Sequence, residues 1–166
     1  MKVAGIGAIR KELAFLPPKE LSEFCEQLIL FQKNNKELAT YYIFYKHDEV
    51  GYRTDLKHWL DEEFATMFNN YYYLLKSIKK TSKLLTLRLK CSGNKQTETE
   101  LLLHFMLHIH TVLGVYSKYK AVESVFVSHV KKAKRAIAKL HEDSQSMYLD
   151  ELEELTNNMG LSLQDL

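Results

Sequence analysis

An all-α fold is predicted for this chain of 166 residues, and three observations predict it. Apolar residues recur at three- and four-residue spacing over long stretches. Strand-like alternation bounded by turn residues is nearly absent. Only 2 Pro, adjacent at positions 17 and 18, and only 6 Gly interrupt the pattern. The expected architecture is six to seven antiparallel helices forming one domain over 1–166. They would pack as a helical bundle or as a short α-solenoid of HEAT-like helical hairpins.

The elements follow in chain order. Residues 1–16 read as a short first helix or a loose tail, because Ile6 and Ile9 give way at once to Arg10, Lys11 and Glu12. Pro17-Pro18 suit a helix entrance, so a helix is expected from Lys19 to Lys33. Leu21, Phe24, Cys25 and Leu28 fall on one face of it, with Glu20, Glu23, Glu26 and Gln27 on the other. Asn34 and Glu37 resemble a capping box for a second helix, Lys36 to His47. This helix is apolar almost all round (Leu38, Ala39, Tyr41, Tyr42, Ile43, Phe44, Tyr45), which predicts a central, covered position.

Asp48 is the expected cap of a third helix, Glu49 to Phe68, holding Trp59, Leu60, Phe64 and Met67. Asn69-Asn70 introduce a fourth, Tyr71 to Cys91, with Gly93 at its left-handed C-terminal position. Three successive tyrosines at 71–73 cannot all face inward, so at least one is expected at the surface. Thr97 and Glu100 read as a capping box before a fifth helix, Leu101 to Leu113, also apolar nearly all round and closed by Gly114. A sixth, Lys118 to His141, and an acidic seventh, Met147 to Asn158, complete the chain. An internal echo links Leu21–Tyr42 with Ile78–Leu102, each an amphipathic helix, an Asn/Lys break and an apolar helix.

Composition excludes several classes of function. Lys+Arg 23 against Asp+Glu 21 gives net charge +2, too little to demand a polyanionic partner. No apolar run approaches a membrane span. Two cysteines, Cys25 and Cys91, make neither a disulfide framework nor a metal cage, and a cytoplasmic protein with reduced thiols is the expectation. Gly5-Ile6-Gly7 imitates a dinucleotide-binding turn, but Arg10 stands where the third glycine belongs and no βαβ unit follows. No cofactor is therefore expected.

Three stretches carry a resemblance: Lys36-Glu37-Leu38-Ala39-Thr40-Tyr41-Tyr42, Ser92-Gly93-Asn94-Lys95-Gln96-Thr97-Glu98, and Ala136-Ile137-Ala138-Lys139-Leu140-His141-Glu142-Asp143. Together they resemble a group of small bacterial all-helical proteins with no assigned activity. The likeness spans most of the chain. It implies the helical fold and brings no functional residue with it.

Two constellations could carry chemistry. Glu100, His104 and His108 fall at i, i+4, i+8 on one helical face, and imidazoles at that spacing can share a metal ion with a carboxylate as third ligand. The same histidines lie among Leu103, Phe105, Met106, Leu107 and Ile109, which equally fits hydrogen-bonded histidines at a helix contact. The second constellation is electrostatic. Lys76, Lys79, Lys80 and Lys83 share one side of the fourth helix, and Lys131, Lys132 and Arg135 cluster on the sixth. A basic surface of that kind could hold nucleic-acid phosphates, or the acidic C-terminal helix could fold back and neutralise it.

No nucleophile–base set can be assembled from the sequence. The leading expectation is a non-enzymatic helical scaffold that binds another protein or forms a homo-oligomer. Nucleic-acid binding through the basic faces and a metal-dependent enzyme around Glu100, His104 and His108 are the alternatives.

Overall fold

The computed structural model describes residues 2–67, 71–115 and 120–163. Among these residues the protein is all-α: eight α-helices, one π-helical segment and no strand. The helices are α1 (Ile6–Leu13), α2 (Pro18–Phe31), α3 (Lys33–Thr40), α4 (Glu49–Ala65), α5 (Tyr71–Ser92), α6 (Lys95–Val115), α7 (Lys120–Ile137) and α8 (Glu142–Asn157), with π-helical turns at Tyr41–Tyr45 between α3 and α4. The count exceeds six to seven because residues 6–13 form a helix of their own and the expected second helix divides into α3 and the π segment.

The core belongs to α4–α8, and α6 is its centre. Leu101, Leu102, Leu103, Phe105, Met106, Ile109 and Leu113 of α6 are all buried. That helix packs on α4, α5, α7 and α8, with α7 its principal neighbour. The near-continuous apolar character of α6 is thus explained by cover on several sides. Its neighbours each supply one stripe at helical spacing: Tyr52, Leu56 and Leu60 from α4, Leu74, Ile78, Leu85 and Leu89 from α5. Val122, Phe126, Val130, Ala133 and Ile137 of α7 and Tyr148, Leu152 and Leu155 of α8 close the other sides.

The end signals hold in part. The Asp48 carboxylate accepts the Gly51 amide proton at 2.9 Å, capping α4 as expected. Gly93 and Gly160 both take positive φ (69° and 67°), ending α5 and the turn after α8. Thr97, by contrast, lies inside α6. Asn94 Oδ1 accepts the Thr97 amide at 3.1 Å and is the true cap, so α6 begins one turn earlier than the Thr97–Glu100 pattern implied. Asn34 likewise lies inside α3, and Asn35 instead donates from its side chain to the Leu28 carbonyl. The proposed Asn69-Asn70 entrance and the stretch 116–119 lie outside the described residues.

The second predicted helix is not central. No residue of α1, α2, α3 or the π segment is buried, and Tyr42, Ile43 and Phe44 are 60%, 65% and 72% exposed. This N-terminal part is held to the core through the inner side of α3 and the π turns. Arg88 donates to Glu37 at 3.0 Å and lies over the Trp59 ring at 4.1 Å. Tyr41 and Tyr45 pack their rings on Tyr52, whose hydroxyl donates to the Arg88 carbonyl. The two echoing stretches are therefore unequal. The α2–α3 hairpin carries no buried residue, whereas α5 and α6 are both core helices.

Candidate functional site

His104 and His108 sit one turn apart on α6, at the edge where that central helix meets α4. Their Nε2 atoms converge on the same Oδ1 of Asp61, at 2.6 and 2.8 Å. One donor atom from each of the three residues lies within 4.8 Å of the others. The imidazole rings stand nearly perpendicular (89°) with centroids 4.9 Å apart. Phe64, one turn along α4 from Asp61, stacks on His108 at 4.6 Å and 9°, and its ring also meets the buried Phe105 edge-on. Both rings are thus set by packing, while Asp61 is half exposed. Partial burial pushes the Asp61 carboxyl up, but the hydrogen bonds and charges of His104 and His108 together leave it below its ordinary value.

Glu100 does not join this group. It is held instead by Arg53 at 3.0 Å and Lys57 at 2.9 Å, with Tyr148 donating at 3.1 Å. Burial raises its carboxyl and these cations more than reverse that, so it too titrates below the usual range. The sequence spacing found the two histidines and missed the third member, because Asp61 reaches them from another helix, 43 positions earlier than His104. Its run Asp61-Glu62-Glu63 reads as a solvated face and gives no signal of the contact.

His104 is also one wall of a cavity of about 320 Å³ between α4, α6 and α8. Lys57, Glu100, Tyr148 and Glu151 supply its polar groups, and Leu103, Leu107, Met147 and Leu155 its apolar ones. Burial pushes the Glu151 carboxyl up, as do Glu100 and Glu154, against the pull of Lys57.

The basic residues are divided. Lys76, Lys79, Lys80, Lys83, Lys131 and Arg135 are exposed on α5 and α7, whereas Lys132 is half-buried between them. Lys79 and Lys132 line one groove with Ser82, Ser124, Ser128 and His129. Burial lowers the Lys132 ammonium below its ordinary value, Glu98 opposes this and Lys90 adds to it. The acidic helix α8 packs on α6 and on α7, the helix that carries Lys131, Lys132 and Arg135.

Beneath the groove, His129 is buried and donates from Nδ1 to the Val125 carbonyl at 2.8 Å, leaving Nε2 to accept from the Ser82 hydroxyl at 3.0 Å. Burial depresses its pKa to about 4, and Lys132 pushes the same way. Burial and Glu37 raise the Cys91 thiol above its ordinary value, against the pull of Arg88. No protein-family model, curated protein or solved structure matches the chain.

Proposed function

We propose that this protein is a helical interaction module that associates with a second copy of itself through its N-terminal helices. One observation carries the reading. Helix α2 presents Leu21, Phe24, Leu28 and Phe31 along one face at 37%, 38%, 43% and 88% exposure, with no residue of the helix buried. Ile6, Ile9 and Phe15, in α1 and the turn after it, are exposed as well. A helix face on which every large apolar side chain is exposed is uncommon on a monomer and marks an interface. The same amphipathic face is present on every molecule, and a two-fold arrangement of α2 against α2 buries it symmetrically. The acidic residues Glu20, Glu23 and Glu26 then stay at the rim, in water.

Light scattering coupled to size exclusion across a hundredfold range of protein concentration tests this directly. A dimer mass is expected, and Phe24→Glu with Leu28→Glu returns the mass to that of one chain with unchanged helical circular dichroism. A single-chain mass for the native protein at every concentration overturns the proposal.

A further inference from the structure

We infer that Asp61, His104 and His108 bind one divalent transition-metal ion of the Zn²⁺ or Co²⁺ class, as three protein ligands that leave further coordination positions open. The inference is independent of the self-association reading, since the residues are on α4 and α6 and not on α1–α3.

The donor set chooses the class of ion. Two imidazole nitrogens and one carboxylate oxygen suit the later first-row metals, whereas magnesium and calcium take oxygen ligands almost throughout. The set also matches the three-protein-ligand composition of open metal centres, in which a water or another ligand takes the remaining position. The geometry is close to what ligation needs. Metal–ligand bonds of about 2.0–2.2 Å in a tetrahedral arrangement separate the donor atoms by roughly 3.3 Å. Here both nitrogens already point at one carboxylate oxygen from 2.6 and 2.8 Å. Withdrawal of that oxygen by about half an ångström opens the space for an ion. Asp61 is the member able to make this movement, because its side chain is half exposed. The two rings are carried one turn apart on the same helix, and the Phe64 stack holds that of His108.

The surroundings agree with an ion and not only with a hydrogen-bonded tie. Lys57 and Arg53, one and two turns before Asp61 on α4, are both paired with Glu100, which offsets part of their charge. The cavity adjoining His104 brings the Tyr148 hydroxyl and the Glu151 carboxyl to the same side of α6.

Isothermal titration of zinc chloride into the metal-stripped full chain is the primary test. One ion per chain with a dissociation constant of micromolar or tighter is expected. Asp61→Asn is expected to weaken it at least tenfold and His104→Gln with His108→Gln at least a hundredfold, whereas His110→Ala, on the same helix, leaves it unchanged. Histidine side-chain nitrogen resonances of the unmodified protein supply a measurement that needs no variant: zinc shifts the ring nitrogens of His104 and His108 and spares His47, His58 and His141. Substitution by Co²⁺ adds a visible absorption spectrum whose intensity reports the coordination number. Absence of heat beyond dilution overturns the inference. So does zinc binding that survives loss of both histidines, or ring shifts confined to the other histidines.

Discussion

His129 is a titratable residue that folding removes almost wholly from water. The folded chain holds it neutral, with a pKa of about 4 against 6.5 for the free group. As pH falls below 6.5 the unfolded chain takes up this proton first, so stability declines, and the loss from this group is complete near pH 4. At pH 5 the difference from pH 7 amounts to about 2 kcal/mol. Urea unfolding at the two pH values measures it, and a His129→Gln variant should lose less stability over the same interval than the native protein. The charged groups facing the ring are few: Lys132 disfavours protonation, and Ser82 and the Val125 carbonyl occupy its two nitrogens. Gly93 offers a second test at this scale. A Cβ there meets no atom within 4 Å, so Gly93→Ala reads the cost of its positive φ alone, about 1 kcal/mol by thermal unfolding.

At the scale of elements, α6 and α2 stand at opposite extremes. Phe105 of α6 is fully buried, and Phe105→Ala should cost about 3–5 kcal/mol in denaturant unfolding. Removal of residues 1–31 deletes two helices and not one buried side chain. Compared at a concentration low enough for the native protein to be a single chain, the truncated chain should keep its unfolding midpoint within a few degrees, because burial rather than helix length stabilises the fold. Calorimetry of both proteins decides this. The sequence made α4–α8 readable, since each writes a one-sided stripe at helical spacing. It misled at the second helix, because Tyr42, Ile43 and Phe44 look like core residues by composition alone. What separates them from Leu101–Leu103 is the number of helices nearby, which periodicity does not encode. The start of α6 was misplaced for a related reason: Asn94 and Thr97 are both good capping residues, and Thr97 is carried into the buried first turn by the helix that Asn94 begins.

For the whole molecule, the arrangement around α6 joins core and candidate metal centre in one helix. The histidine pair was legible because both residues share a helix. Asp61 was not, because contacts between α4 and α6 depend on how the bundle closes. This predicts a global response: saturating zinc should raise the unfolding temperature of the native chain, by the linkage between ligand binding and folding, and leave the His104→Gln/His108→Gln chain unmoved. A thermal scan with and without the metal reads the effect. The basic faces give a weaker expectation of the same kind. Any phosphate ligand drawn to Lys79 and Lys132 should dissociate as salt rises, visible in a gel-shift series.

The exposed N-terminal helices have a practical consequence. A protease reaches a peptide bond only where a stretch of backbone opens, and opening is least costly where no side chain leaves a core. The turn Ala14–Pro17 and both flanking helices meet that condition. Brief digestion of the free protein should trim this end and leave a resistant fragment beginning near α3, and any companion seated on α2 should slow that clipping.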